Sequence, residues 1–335
     1  MSRLLDETSW VRSEAFTGAL RAEYEHFVRT AAGGHYTQMP AWDEVERSVR
    51  PMATRYFLVR RAGRLVGAAR VARTAAFGIP LPIASVERGP VVAEPAELEM
   101  VLRALARAAS HHGIARLNVM PYWAGGDVTV ATRALAATGW SDAQRADGAH
   151  ARTLRLALDG DPFAGKEREA LRRKLRLAEK AGATARQAAE DGIDPLHGLH
   201  EALMTSQGRP GRPRQYFRAL YRAAVASNDG AFFVTEHERK PVAALFVAHH
   251  GSVATFVLGA STRSEKSFSK MAPAMAAAMR LAKGRGARVF DLGGIPLPED
   301  DDPKRASIAQ FKLDFAKQPV PLTREHARPL LPGLA

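Results

Sequence analysis

The chain has 335 residues, of which 46% are hydrophobic and 25% charged; this composition is typical of a folded globular protein with room for two domains and excludes a disordered chain. It contains no cysteine, which excludes disulfides, thiolate metal sites and a cysteine nucleophile. The net charge of +13 favours phosphate-rich partners such as RNA, nucleotides or anionic lipid surfaces, although an Ala/Arg-rich genome composition would also produce it.

The N-terminal stretch does not have the pattern of a signal peptide. "MSRLLDETSWVRSEAF" carries acids and no continuous apolar segment. The most apolar helix candidate, "MAPAMAAAMRLA", is interrupted by Arg280 well short of the length of a membrane span. We therefore expect a cytoplasmic protein.

A hairpin, an amphipathic helix and a further strand are predicted in each half of the chain. In the first half, residues 55–73 form two strands around a "RAGR" turn, followed by a helix that ends at Gly113 and by the strand "RLNVM". In the second half, residues 231–261 form three strands, followed by a helix that ends at Gly286 and by the strand "RVFDL". The two copies are offset by roughly 175 residues, which predicts a duplicated α/β domain.

A basic segment lies between the two copies. From Lys166 to Lys180 the spacing predicts an amphipathic helix with seven basic and three acidic side chains. Residues 204–228 then carry five arginines and no acid, and Pro210 and Pro213 predict an extended loop before a helix that begins near Arg214.

A lysine between two aromatic residues follows the last predicted strand. The strand runs into Gly293 and Gly294, and Lys312 then stands between Phe311 and Phe315. From the residues alone, such a lysine packs its methylene chain on the aromatic rings and keeps its ammonium in solvent, or it carries a charge into a functional site.

Hairpin, helix and strand in this order, twice, indicate an α/β (α+β) fold of two tandem domains like those of the N-acetyltransferase (GNAT) superfamily. In that fold a glycine-rich loop at the start of the central helix holds the pyrophosphate of coenzyme A. The corresponding stretches here are "GASTRSEKSFSKMAP", which lacks closely spaced glycines, and "GPVVAEPAELE", which is acidic. Neither copy is expected to bind coenzyme A.

The sequence resembles the Fem aminoacyltransferases (FemABX), tandem acetyltransferase-like proteins that elongate peptidoglycan peptides with aminoacyl-tRNA as the donor. The resemblance covers essentially the whole chain. It rests on seven motifs in the family's order: "HYTQMPAWDEV", "ERGPVV", "LRRKLRLAEKAGATA", "GRPRQYF", "FVLGAS", "FDLGGI" and "FKLDF". No long coiled-coil insertion is present, so the chain is similar to the shorter, FemX-like members.

The resemblance implies a role for the lysine. In the family, the lysine of the "FK..F" motif points into the channel where an amine attacks the aminoacyl ester, and Lys312 matches it. A fixed ammonium there would stabilise the tetrahedral oxyanion. Phe311 and Phe315 would exclude water and hold the side chain. Asp291 either bonds to the Gly293-Gly294 turn or faces the channel, and we favour the first role.

Four residues are implied as substrate-binding, namely Phe311 beside the lysine, Arg212, Tyr216 and Trp42. Arg212 in "GRPRQYF" matches the arginine that contacts the phosphates of the nucleotide-linked muropeptide, and a guanidinium presents a forked donor set suited to phosphate oxygens. Tyr216 would line the same cleft, and Trp42 belongs to the first motif. From the residues alone, Arg212 could also simply solvate a loop.

The sequence departs from the family at two positions of the first domain. Nucleotide-binding members often have a lysine just after the tryptophan of the first motif, whereas here Glu44 and Glu46 follow Trp42 and Arg47 is the nearest base. Met120 stands where relatives have an acid before proline. Both differences leave open a lipid-linked precursor or another amine as the acceptor.

The resemblance therefore predicts a transferase that moves an amino acid from aminoacyl-tRNA to an amine of a peptidoglycan precursor, nucleotide- or lipid-linked. The expected division is a first domain of residues 1–155 plus 317–335 and a second of residues 156–316, which carries the site. The basic helix and the arginines from 209 to 222 would contact tRNA. No cofactor, metal or DNA partner is expected, and peripheral contact with a membrane is left open.

Two other functions compete with this prediction. The first is an acyl-CoA-dependent N-acyltransferase acting on a small amine, natural-product peptide or polysaccharide, and the second is a non-catalytic binding protein. The histidine pairs at 111–112, 197/200 and 249–250 lack carboxylates at ligand spacing, so we expect no zinc site. The acids of residues 299–302 are expected to form a solvated loop rather than a magnesium site.

Overall fold

A computed structural model describes residues 7–143, 151–263, 268–297 and 309–331. The predicted acidic loop, residues 299–302, lies outside the described residues. The chain divides into two compact units, one of Met1–Arg152 with Val320–Ala335 and one of Thr153–Pro319.

Both units combine strands with α-helices. The strands are β1 (Glu7–Arg12), β2 (Met52–Arg61), β3 (Arg64–Ala76), β4 (Ile79–Pro80), β5 (Ile83–Val86), β6 (Val91–Val92), β7 (Arg116–Val119), β8 (Ser141–Asp142), β9 (Arg152–Ala157), β10 (Thr184–Ala188), β11 (Gly230–His237), β12 (Lys240–His250), β13 (Val253–Ser261), β14 (Val289–Gly294), β15 (Pro319–Pro321) and β16 (His326–Pro329). The helices are α1 (Gly18–Thr30), α2 (Trp42–Arg47), α3 (Leu98–His111), α4 (Asp127–Ala137), α5 (Glu169–Lys180), α6 (Ile193–Thr205), α7 (Arg214–Leu220) and α8 (Met271–Gly284).

The first sheet has the order β1-β2-β3-β5-β7-β16-β8, with β4 and β6 paired to β3. Its strands pair antiparallel except β5 and β7, which are parallel. Parallel neighbours need a crossover, and α3 supplies it. One face of α3 packs on the sheet through four of its apolar side chains, Leu98, Val101, Leu102 and Leu105.

The second sheet repeats this arrangement. Its order is β10-β11-β12-β13-β14-β9-β15, and the described pairs are antiparallel except β13 with β14. The helix α8 joins that parallel pair and packs on the sheet through alanines and methionines. The same sequence of strand orientations in both sheets confirms the predicted duplication.

The two crossover helices end in the same way. Gly113 and Gly286 have φ of +70° and +84°. The next residue, Ile114 or Ala287, donates its backbone N–H to the carbonyl five residues back, at 3.1 and 3.0 Å. This is the pattern of a glycine-ended helix, so both predicted helix ends are confirmed.

The last described strand lies in the first sheet. β16 pairs with β7 and β8. No helix in the described part of the chain is both long and apolar enough to cross a membrane.

Candidate functional site

An opening between two neighbouring strands of the second unit forms the centre of the candidate site. The parallel pairing of β13 with β14 ends where Thr255 lies opposite Asp291. β13 nevertheless continues to Ser261 and β14 to Gly294. Beyond the last pair the two strands are no longer held together by ladder hydrogen bonds.

An irregularity in each strand accounts for this separation. In β13, the register with β12 shifts between Phe256 and Leu258, which leaves Val257 as an extra residue. In β14, the register with β9 shifts between Asp291 and Gly294. Because a β-bulge bends the strand that carries it and increases its twist, both strands depart from the ladder here.

The bulge of β14 requires glycine at position 293. Gly293 has φ of +76°, and a Cβ at this position would lie 3.2 Å from the Phe256 carbonyl oxygen and 3.5 Å from Lys312 Nζ. A side chain here would be strained by the backbone and would crowd the site.

The side chain of Asp291 stabilises this turn through hydrogen bonds. Its carboxylate accepts hydrogen bonds from the Gly293 backbone N–H at 2.8 Å and from the Thr153 hydroxyl at 2.5 Å, and it pairs with Arg155 at 3.1 Å. The carboxylate is buried. Of the two roles considered for Asp291, bonding to the turn is therefore the one observed.

Lys312 places its ammonium in the opening. The residue is 7% exposed. Its Nζ donates a hydrogen bond to the Gly294 carbonyl oxygen at 2.7 Å and lies 5.9 Å from the centroid of the Phe256 ring on β13. The ammonium thus contacts both separated strands instead of extending into solvent.

The protein environment makes this ammonium more acidic than that of a lysine in water. Burial lowers the pKa of Lys312 from 10.5 to about 8, while the Asp291 carboxylate acts in the opposite direction. Below pH 8 the side chain is mostly charged. An ammonium has three N–H donors, and the Gly294 carbonyl is its one hydrogen-bond acceptor among the described residues. The other donors can bind an anion.

The two phenylalanines beside the lysine pack on each other. The rings of Phe311 and Phe315 meet edge to face with centroids 5.1 Å apart, and Phe315 is fully buried. Both belong to the core under α8. Asp314, on the same short segment, pairs with Lys174 of α5. The basic helix is thereby attached to the segment that carries Lys312.

Arg212 and Tyr216 form a separate pair in the same unit. Arg212 lies on the exposed loop before α7, and its guanidinium is 5.1 Å from the centroid of the half-buried Tyr216 ring. A guanidinium over a ring face keeps its N–H donors for other partners, and an anion is the ligand that they suit.

Trp42 lies in the first unit, at the start of α2. It is buried, and the Tyr36 ring meets it at 4.6 Å between centroids. The His35 ring in turn packs at a tilt against the rings of Tyr36 and Tyr122, with centroids 4.1 and 4.5 Å apart. Trp42 is therefore part of an aromatic cluster of the first unit.

The acids that follow Trp42 have a structural function. Arg70 is buried, and it binds Asp43 at 2.6 Å and Glu46 at 3.0 Å. Burial opposes the charge on Arg70, but the carboxylates of Glu46 and Asp43 outweigh this effect and raise its pKa. Asp43 also accepts a hydrogen bond from Tyr56 at 2.7 Å. Glu46, the acid that makes a phosphate ligand unexpected at this point, thus neutralises a buried arginine.

The start of α8 carries a proline and a tethered lysine. Pro273 occupies the first turn and has no backbone N–H to donate. Lys270, just before the helix, directs its ammonium to the Thr262 carbonyl oxygen at 2.6 Å. Pro273 therefore removes one of the backbone donors that the start of this helix could offer to a pyrophosphate.

Metal ligands are not clustered in the described ranges: no group of three or more His, Asp or Glu side chains there could hold an ion. The paired histidines of α6, His197 and His200, pack on the Phe217 ring at 5.4 and 5.6 Å.

Three residues of the site escaped the sequence prediction. Phe256 lies in a quoted motif but was not assigned a function. Thr153 and Arg155 carry no local signal, because they reach Asp291 from β9, a strand far away along the chain.

Comparisons with known proteins identify similar domains and folds. The sequence matches the acetyltransferase (GNAT) domain over residues 165–305, within the second unit. No significant match was found among curated proteins. The match to an acetyltransferase domain confirms the prediction of a transferase.

Three solved structures share the fold over nearly the whole chain. FemX aligns with a TM-score of 0.78 at 17% identity, covering 93% of this chain and 96% of FemX. L-PGS from Bacillus licheniformis aligns with a TM-score of 0.59 at 13% identity, covering 93% of both chains. A tandem GNAT protein from the clavulanic acid biosynthesis pathway aligns with a TM-score of 0.54 at 16% identity, covering 98% of this chain and 100% of that one. The predicted tandem GNAT-like fold and the resemblance in fold to FemX are confirmed.

Proposed function

We propose that the protein transfers an amino acid from aminoacyl-tRNA to an amine of a peptidoglycan precursor peptide. The observation that carries this proposal is the buried ammonium of Lys312, which lies between the separated strands β13 and β14 with donors left for an anion. Acyl transfer generates such an anion when a nucleophile adds to the ester carbonyl.

The reaction proceeds by addition and elimination. The acceptor amine forms a C–N bond to the ester carbonyl carbon, and the carbonyl oxygen becomes an oxyanion. The C–O bond to the tRNA ribose then breaks, which restores the carbonyl as an amide. A phosphate or carboxylate of the acceptor takes the proton that the amine loses and passes it to the ribose oxygen, which leaves as a hydroxyl.

Lys312 stabilises the oxyanion in this scheme. Its hydrogen bond to the Gly294 carbonyl fixes the ammonium before the substrate arrives, so little reorganisation is needed. The Phe256 ring on one side and the packed Phe311 and Phe315 rings near the lysine limit the access of water. A single preorganised donor of this kind contributes about 3–4 kcal/mol to transition-state stabilisation.

The basic helix α5 is the candidate for tRNA contact. Its pair between Lys174 and Asp314 attaches it next to the catalytic lysine. Three of its cationic side chains point into solvent, Arg173, Arg176 and Lys180. Exposed cations in a row suit a phosphate backbone, and the arginines of the 209–222 stretch extend the basic surface.

Arg212 and Tyr216, both in the second unit, are the candidate contacts for the acceptor. The exposed guanidinium of Arg212 suits a phosphate or carboxylate of a nucleotide- or lipid-linked precursor. The proposed chemistry needs no metal, no cofactor and no DNA partner. In this proposal both substrates are met in the cytoplasm.

An acyl-CoA-dependent N-acyltransferase is the second candidate. The bulge of β13 at Val257 favours it, because unpaired backbone groups there could bind the pantetheine arm. The start of α8, with Pro273 in its first turn, disfavours it.

One experiment separates the two candidates. Total bacterial tRNA charged with radiolabelled amino acids is incubated with the protein and with a nucleotide-linked or lipid-linked muropeptide, and coenzyme A is tested in parallel by thermal shift. Label in the muropeptide, without a coenzyme A shift, supports the proposal and identifies the amino acid. A coenzyme A shift without transfer of label would replace it with the second candidate.

A further inference from the structure

A hairpin of the first unit exposes a stripe of large apolar side chains. Phe77 is fully exposed, and Ile79, Leu81 and Ile83 are 70%, 41% and 52% exposed. These residues alternate along the chain, so in an extended segment they lie on one face. Large side chains in such a contiguous row mark an interaction surface, in contrast to scattered single ones.

The hairpin extends past its neighbours in the sheet. Thr74 of β3 pairs with Met52, the first residue of β2. On the other side, Ile83 lies opposite Arg116, the first residue of β7. The residues between Thr74 and Ile83, including the turn, therefore project beyond the ends of both adjacent strands.

The residue at the tip is unfavourable for the turn that it makes. Phe77 and Gly78 form the two-residue connection and have φ of +51° and +79°. Positive φ at both positions is the property of a type I′ turn, which favours Asn-Gly. A bulky residue there is strained, and Phe77 gains no packing in return because it is fully exposed. Strain without a compensating contact points to a ligand for the ring.

Two prolines restrict what can bind. Pro80 and Pro82 alternate with the apolar residues and have no N–H to donate. Pro82 also uses its carbonyl oxygen to accept from Ala115 at 2.7 Å. Addition of a strand from a second copy needs free backbone donors and acceptors along the edge, and this edge lacks them.

A row of arginines flanks the hairpin. Arg12 lies opposite Arg55 in the pairing of β1 with β2, and Arg73 lies on β3. Arg73 lies opposite Ala53, two residues from Arg55 on β2, so the three arginines are neighbours in the sheet. In agreement, burial and Arg12 lower the pKa of Arg55, and burial and Arg55 lower the pKa of Arg73. Glu14 is the acid near this row. From residue 48 to residue 86 the sequence has seven arginines and no acid.

The spacing of charge and apolar surface matches a lipid bilayer. Arg73 also braces the hairpin, donating to the carbonyl oxygens of Leu81 at 2.7 Å and Pro80 at 3.1 Å. From Arg73 to Phe77 is about 13 Å along a strand. A tip that enters the boundary of headgroups and acyl chains by about 5–10 Å would leave the arginines at the level of the lipid phosphates.

We propose that the hairpin tip, Phe77 with Ile79, Leu81 and Ile83, docks the protein on a bilayer rich in anionic lipid, with Arg12, Arg55 and Arg73 facing the headgroups. This inference is independent of the transfer reaction, since it concerns a different unit of the chain. A bilayer suits both features, because its acyl chains can contact the apolar residues while its anionic headgroups contact the arginines.

Co-sedimentation of the full chain with vesicles tests the proposal. Vesicles of phosphatidylcholine alone are compared with vesicles that also contain phosphatidylglycerol. Wild type should bind the anionic vesicles, and added salt should weaken this binding because it screens the arginines. No binding to anionic vesicles would overturn the proposal.

Phe77→Asn is the informative variant. Asparagine suits the turn, so the fold should be kept or stabilised, while vesicle binding should fall at least about tenfold because a buried phenylalanine is lost. Val130→Ser, at a 44% exposed position of α4, is the matched control and should bind like wild type. Unchanged binding by Phe77→Asn would refute the role of the tip. A dimer of wild type that Phe77→Asn converts to a monomer, with no vesicle binding, would identify a second copy as the occupant instead.

Discussion

Replacing Lys312 with methionine removes the buried ammonium and keeps much of the side-chain volume. The oxyanion then loses the donor that Lys312 Nζ supplies, while the Phe256 ring and the Gly294 backbone remain in place. Loss of one preorganised oxyanion donor costs about 3–4 kcal/mol, which corresponds to a reduction of about 10²–10³ in the rate of transfer.

The same substitution should leave stability nearly unchanged. Lowering the pKa of Lys312 from 10.5 to about 8 means that the fold disfavours the charged form, by about 3 kcal/mol. Methionine removes this cost, but it leaves the Gly294 carbonyl without its donor, which costs about 1–3 kcal/mol. The two terms offset each other, so we expect the midpoint of thermal unfolding at pH 7 to stay within several degrees of wild type.

The pH dependence gives two further measurements. Because the folded pKa of about 8 lies below the unfolded value of 10.5, the charge on Lys312 destabilises wild type fully below pH 8. This cost disappears as the pH rises from about 8 to 10.5, so wild type should gain stability over that interval relative to Lys312→Met. Transfer by wild type should decrease as the pH rises through about 8, because the neutral amine is a poor oxyanion ligand.

The assay is transfer of radiolabelled amino acid from charged tRNA to a muropeptide, with urea unfolding of the same preparations at pH 7 and pH 10. Lys317→Met is the matched control, since Lys317 is exposed and lies on the same segment. A rate of Lys312→Met within about threefold of wild type would refute the oxyanion role. Transfer that instead increases through pH 8 would show that the neutral lysine acts as a base.

Three other substitutions test the surrounding structure. Gly293→Ala should destabilise the protein by about 1–2 kcal/mol in urea unfolding, and it should also reduce transfer because the new Cβ approaches the Phe256 carbonyl oxygen. Gly286→Ala is the control: its backbone is equally strained but the space around it is open, so it should lower stability without reducing transfer. Arg70→Met should cost about 3–5 kcal/mol in the same measurement, since it leaves two carboxylates without their buried partner, and a cost below 1 kcal/mol would contradict the buried ion pair. Replacing three exposed cations of α5 with glutamine should weaken tRNA binding and reduce the salt slope by about two to three, whereas unchanged affinity at low salt would exclude contact by Arg173, Arg176 and Lys180.

Local sequence patterns were sufficient for the elements that repeat in the two units. The hairpin β2–β3, the strands β11–β13 and the helices α3 and α8 follow from apolar periodicity and from the glycines that end them. The basic helix was predicted from Lys166, and α5 begins three residues later, at Glu169. Such patterns identify an element because burial of one face imposes its own period on the residues.

The strands that complete the sheets could not be predicted in the same way. β9 pairs with β14, and β16 with β7, across long separations in the chain. Their sequences are short, and pairing between distant segments leaves no local period. The neutralisation of Asp43 and Glu46 by Arg70 was equally hidden, because the partners come from α2 and β3.

For Lys312 and for the apolar hairpin, too, the local pattern is visible in the sequence, whereas burial is decided by the tertiary structure. The sequence by itself determined that a lysine stands between two phenylalanines after a glycine pair, and that an apolar stripe alternates with glycine and prolines from Phe77 to Ile83. Only the tertiary structure decided that the lysine is buried between two bulged strands while the stripe is exposed. Burial depends on which distant segments cover a residue, and it is burial that lowers the pKa of Lys312 and leaves Phe77 without a partner in its own fold.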